Sequence, residues 1–165
     1  MGGTSESAAG SIWPLFLTTH AVLVERIEAR LVAAALPPLA WYDVLWALER
    51  APERRLRMSE LAENVVLSRS NLTRLVDRLE AAGVVARERS EEDRRGAYAV
   101  ITTAGRDLRR RMWPVYETAI RELFESQLAA TEVRHVSAAL TRMLGAARAT
   151  PAGAINPRAT PRRSR

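Results

Sequence analysis

Between residues 68 and 105 (SRSNLTRLVDRLEAAGVVARERSEEDRRGAYAVITTAG) the hydrophobic repeat changes from about 3.6 residues to 2, and no other feature narrows the possible folds as much. Leu72, Leu75, Val76 and Leu79 recur at i, i+3, i+4 and i+7, which predicts a helix over about 69–82 with one buried face. Ser70, Asn71, Thr73, Arg74, Asp77 and Arg78 are left facing outward. Gly83 is the expected stop, because a helix ends readily on a left-handed residue and glycine adopts that conformation without strain. Residues 84–89 and 97–102 then read as two strands. The SEEDRRG segment joining them is too long and too charged for a two-residue hairpin turn.

The rest of the chain reads as helix. A first helix is expected over about 12–35, capped by Ser11 and ended by Pro37-Pro38, with Leu15, Phe16, Leu23, Ile27 and Leu31 on one stripe. A second covers about 40–50, followed by a short edge strand at 55–58. Ser59 is expected to cap a short helix with Leu61, Ala62 and Val65 inward, and Ser68 to cap the next. Thr103 opens a long helix to about Gln127, bent at Pro114. Thr131 is expected to cap a last helix in which Val133, Val136, Leu140 and Met143 alternate at spacings of 3 and 4, a seam that wants a partner.

The resulting fold class is mainly α with a small β-wing: a winged helix-turn-helix lobe plus N- and C-terminal dimerisation helices. The expected organisation is a disordered tail at 1–11, a helical dimerisation region from 12–52 and 106–148, a winged lobe at 53–105 and a disordered basic tail at 149–165. A helix offering Ser68, Arg69, Ser70, Asn71, Thr73, Arg74 and Arg78 on its polar side suits the major groove of double-stranded DNA. A basic turn on a two-stranded ribbon suits the adjacent minor groove.

Charge supports this. All 25 basic residues are Arg, and the net charge is +6. Residues 53–111 hold 14 Arg against 10 acids, and residues 151–165 hold 4 Arg and no acid, so the excess lies where a polyanion would bind. The absence of Cys excludes disulfides and thiolate chemistry, and two distant His residues make a metal site unexpected. No phosphate loop or nucleophile elbow is present, so neither catalytic residues nor a cofactor is expected. Neither a secretory signal nor a membrane span is evident, which predicts a cytoplasmic protein.

DRRGAYAVITTAG (93–105) is similar to the wing signature of the multiple antibiotic resistance regulator (MarR) family, Asp-x-Arg, a strand, then Leu-Thr-x-x-Gly, with Ile101 where Leu is usual. LTRLVDRLEAAGVVAR (72–87) resembles that family's recognition helix and first wing strand, and LPPLAWYDVLWAL (36–48) its second-helix entry. The resemblance implies a homodimeric transcription regulator, most often a repressor, in which the first, fifth and sixth helices intertwine and two lobes read a palindromic operator. It implies that Arg95 enters the minor groove, that Asp93 orients it and that Arg94 takes phosphate. It also implies a small-molecule pocket between lobe and dimerisation helices, for which Trp13, Trp41, Tyr42 and Trp113 are candidate lining and an aromatic or phenolic acid the default ligand.

Plainer roles stand beside these. The four Trp residues are expected mainly in the core. Asp77 reads as an orienter of Arg74 or Arg78; Arg87 and Arg89 as a solvated edge or phosphate contacts; Arg109–Arg111 as a solvated face or a phosphate anchor. A rival of another class is a winged-helix dimerisation or protein-interaction module without DNA binding, which the Arg-rich outer face disfavours.

Overall fold

The computed structural model describes residues 11–65, 69–89 and 97–149, and these form six α-helices and one three-stranded antiparallel sheet. In chain order they are α1 (Trp13–Ala33), α2 (Leu39–Arg50), β1 (Arg55–Arg57), α3 (Met58–Asn64), α4 (Arg69–Ala81), β2 (Val85–Arg89), β3 (Ala97–Ile101), α5 (Thr103–Leu123) and α6 (Ala130–Ala149). The chain divides into two compact units, one ending at Phe124 and the other beginning at Glu125.

Helix boundaries follow from where the backbone donors and acceptors go. At the end of α1, Leu36 N–H reaches Leu31 O at 2.9 Å and Ala35 N–H reaches Val32 O at 3.0 Å, closing the turn through Ala35 in the left-handed region. The helix therefore stops before Pro37-Pro38, which follow a turn already made. Pro38 precedes α2 and offers no side-chain acceptor, so the cap is long-range: Glu28 Oε1 of α1 accepts Leu39 N–H at 3.0 Å.

Two expected caps are displaced. Glu60 Oε2 accepts Arg57 N–H at 2.9 Å, so α3 starts at Met58 with Ser59 inside its first turn. Glu132 Oε2 likewise accepts Ala129 N–H at 2.7 Å, starting α6 at Ala130 and placing Thr131 within the helix. In both cases a glutamate in the first turn accepts the N–H of the residue before the helix, and the helix begins ahead of the hydroxyl expected to cap it. The long helix α5 passes through Pro114 and ends at Leu123, short of the expected Gln127; residues Glu125–Gln127 form a 3₁₀ turn.

The buried stripe of α4 is as the spacing requires: Leu72, Leu75, Val76 and Leu79 are all buried. Burying each is worth roughly 1.5–3 kcal/mol, which fixes the opposite, polar face outward. Gly83 sits at φ 71°, with Gly83 N–H to Glu80 O at 2.8 Å and Val84 N–H to Leu79 O at 3.0 Å, so α4 ends in a Schellman turn. The sheet has the order β1-β3-β2, with Leu56 opposite Ala99 and Arg87 opposite Ala99 from the other side. Core residues of α1, α2 and α5 (Leu31, Leu45, Leu48, Met112) belong to the same buried cluster as those of α3, α4 and the sheet.

α5 is tied directly to the end of α4. Thr102 caps α5 by accepting Gly105 N–H at 3.1 Å, and its hydroxyl donates to Gly83 O at 2.8 Å. A Cβ on Gly105 would lie 2.1 Å from Val84 O and 2.9 Å from Ile101 Cγ1, so the close approach needs glycine. Gly105→Ala should lower stability by about 2 kcal/mol or more, the overpacking range for a rigid backbone neighbour, read as a drop in denaturation midpoint without change in slope.

Candidate nucleic-acid interface

α4 presents a polar face because its other face is fully occupied. Asn71, Thr73, Arg74, Asp77 and Arg78 are all exposed. Arg69 and Ser70 occupy the first turn of α4 by backbone position. Positions 71, 74 and 78 follow one another at spacings of 3 and 4, so Asn71, Arg74 and Arg78 share a strip along the helix. Ser68, Asp93, Arg94 and Arg95 lie outside the described residues, as does the rest of the segment between β2 and β3.

Asp77 does not engage Arg74 or Arg78 in a short ion pair; its carboxylate is taken by Arg87 of β2, with Nη2 2.5 Å from Oδ1. Arg87 also meets Glu80, Nη1 to Oε2 at 3.0 Å. Neither of the readings open for Arg87 from sequence, solvated edge or phosphate contact, anticipated that pair. Arg109 likewise turns inward: it pairs with Glu49 of α2, its side chain is 14% exposed, and its guanidinium lies 5.1 Å from the Trp46 ring centroid. Arg110 pairs with Asp107 at 2.8 Å on the surface of α5, and Arg111 is exposed. Arg55 and Arg57 both pack over Tyr98, at 4.9 and 5.2 Å.

The aromatic residues of α2 and α5 meet. Tyr42 is buried and stacks near Trp46 (6.3 Å) and Trp113 (6.0 Å), with Tyr116 edge-on at 4.9 Å. Of the four candidate pocket residues, Tyr42 and Trp113 share this cluster. Trp41 is half-buried against the core, and Trp13 is exposed and stacked on Phe16 at 5.9 Å. The expectation that the Trp residues are core is corrected: none of the four is fully buried in the single chain, Trp13 being 60%, Trp46 40% and Trp113 37% exposed.

A groove of about 940 Å³ opens beside this cluster, between α1, α2, α3 and Tyr116 of α5. None of Trp13, Trp41, Tyr42 and Trp113 lines it; Trp46 and Tyr116 do, with Ile27, Ala47 and Leu56 supplying apolar wall and Glu28, Asp43, Arg50 and His20 its charge and polarity. The i, i+4 pair Tyr42/Trp46 and the i, i+3 pair Trp113/Tyr116 were the available sequence signal, but only the packing of α2 on α5 brings them together.

Asp43 in this wall is pushed up to about 6, chiefly by burial and secondarily by the Glu28 carboxylate beside it. Because its pKa in the folded chain exceeds the ordinary 3.8, the folded state holds that proton more tightly, and stability falls as pH rises from about 4 to 6. Asp43→Asn should therefore stabilise the protein by about 2 kcal/mol at pH 7.5, the gain shrinking towards zero as pH approaches 4; urea denaturation at several pH values measures it.

Residues 36–96 match the family model described as MarR family. Over 85 residues the chain is 33% identical to the HTH-type transcriptional regulator PapX of Escherichia coli, an alignment covering 52% of each chain; the chain thus spans about half the length of that curated relative. Among solved structures it is similar to AbsC of Streptomyces coelicolor, a MarR family transcriptional regulator (TM-score 0.79, 28% identity, 91% of this chain and 100% of that one). It is similar also to Sco3205 of the same organism, solved in complex with DNA (TM-score 0.76, 30% identity, 88% of this chain and 89% of that one). With a winged three-stranded sheet, a helix of exposed Asn, Thr and Arg, and this likeness across nearly its whole described length, the chain belongs to the MarR family.

Proposed function

We propose that the protein is a sequence-specific, double-stranded DNA-binding transcription regulator. In this reading it acts as a homodimeric repressor on a palindromic operator and is relieved by a small ligand. The observation that carries this is the exposed Asn71, Thr73, Arg74 and Arg78 face of α4, held outward by a stripe that is wholly buried. Arg reads guanine edges bidentately and Asn reads adenine, so the face holds the side chains that major-groove recognition uses. Two relatives support the reading: Sco3205 was solved bound to DNA, and MprA of Escherichia coli, 32% identical over 91 residues, is a transcriptional repressor.

Within α4, Arg69, Ser70, Asn71, Thr73 and Arg74 are assigned to bases and Arg78 to phosphate, because recognition helices point their first turns into the groove, and Ser68, which precedes them in sequence, is assigned to the same interface. Asp93, Arg94 and Arg95 are assigned to the wing, with Arg95 in the minor groove. Dimerisation is assigned to α1 and α6. Trp13, Leu15 and Phe16 on α1, and Leu140, Met143 and Leu144 on α6, are exposed, and no residue of α6 is buried. A surface of that composition favours a covering partner. A C2 dimer would set half-sites about 10–10.5 bp apart, one helical turn. The groove beside Trp46 and Tyr116 is the proposed ligand pocket, since a molecule lodged between α1 and α2 bears on both the lobe and the helices that space it.

Nuclease footprinting upstream of the protein's own gene tests the assignment, and three variants refine it. Arg74→Ala should cost about 1–3 kcal/mol on the footprinted operator and less on random DNA in gel-shift titrations. Arg95→Ala should weaken operator binding while leaving the thermal midpoint unchanged; undiminished affinity removes the wing from the interface. Leu140→Arg should yield monomers by light scattering, and a persistent dimer would remove α6 from the seam.

A further inference from the structure

Arg87 stands on β2, yet its side chain and backbone are both committed to α4. The guanidinium spans Asp77 (2.5 Å) and Glu80 (3.0 Å). The Arg87 N–H donates to Glu80 Oε1 at 3.2 Å. β2 is an edge strand, so that N–H is a donor the sheet leaves unmatched, and the helix carboxylate takes it. Asp77 lies one helical turn from Arg74 and next to Arg78, and its side chain is 53% exposed.

DNA carries one negative charge per about 1.7 Å of its axis. Without Arg87, the last two turns of α4 would offer Asp77 and Glu80 against Arg74 and Arg78, a neutral set with two carboxylates facing a polyanion. With Arg87 in place the same patch is positive. We propose that Arg87 is a charge-masking residue for DNA binding: paired with Asp77 and Glu80, it cancels the acidic edge of α4. This rests on the DNA-binding reading above. Both Nη atoms of its guanidinium are engaged by Asp77 and Glu80, and the masking role rests on those two contacts.

The test uses the full 165-residue chain, a duplex carrying the footprinted operator and a random duplex of equal length, with fluorescence anisotropy over a range of salt. Arg87→Met keeps the aliphatic stem and removes the charge. It should weaken binding to both duplexes by about tenfold at low salt, with the deficit narrowing as salt screens the bared carboxylates. Adding Asp77→Asn and Glu80→Gln to Arg87→Met should restore affinity to within about threefold of wild type, and Arg87→Lys should stay within the same range. A purely mechanical tether predicts the opposite, since Asn and Gln cannot rebuild the bridge to Met. In the wild-type Arg87 background, Asp77→Asn with Glu80→Gln should bind more tightly than wild type, a variant that needs no loss of the Arg. Wild-type affinity in Arg87→Met, no recovery in the triple variant, or unchanged binding by Asp77→Asn/Glu80→Gln each overturns the proposal. Wild-type chain that binds neither duplex overturns the DNA-binding reading itself.

Discussion

A single threonine hydroxyl ties the long helix α5 to the turn that ends α4. Thr102 Oγ1 accepts from the first turn of α5 and donates to the carbonyl of Gly83, the residue that ends α4. Gly105, bare of a side chain, lets α5 settle onto the Val84 carbonyl. The stop that ends α4 and the start of α5 are therefore joined by one short side chain and one close backbone approach. Contacts of that kind transmit displacement rather than absorbing it, because close-packed backbone has few alternative arrangements.

The arginines divide by partner. Arg55, Arg57, Arg87 and Arg109 are held by rings or carboxylates of this chain and stiffen it. Arg74 and Arg78 are exposed on the polar face of α4. A planar guanidinium can stack on a ring and pair with a carboxylate in one position, as Arg109 does between Trp46 and Glu49, whereas an ammonium makes only the point contact. A chain whose cations are all Arg thus builds rigid supports and an exposed basic face from one residue type.

How legible the molecule was in its sequence depended on the range of each interaction. The α4 stripe, the Gly83 stop and the two strands were readable because periodicity and positive φ are local demands. The starts of α3 and α6 lie ahead of Ser59 and Thr131 because Glu60 and Glu132 hold the N–H groups of Arg57 and Ala129, a choice that spacing alone does not rank. The end of α5 at Leu123 carries no Gly or Pro signal. Asp77 with Arg87, and Arg109 with Glu49, are pairs set by tertiary packing, invisible to any window. The aromatic cluster is half legible in Tyr42 and Trp113, but the groove beside it is not: its aromatic lining, Trp46 and Tyr116, depends on how α2 crosses α5.

The uncovered apolar side chains of α1 and α6 have a thermodynamic corollary. If a second copy covers them, as proposed, part of each subunit's folding free energy is supplied by association and obeys mass action. The melting temperature then has no single value: it climbs as the protein is concentrated and sags on dilution. The number of copies in a cell would then govern how long each survives.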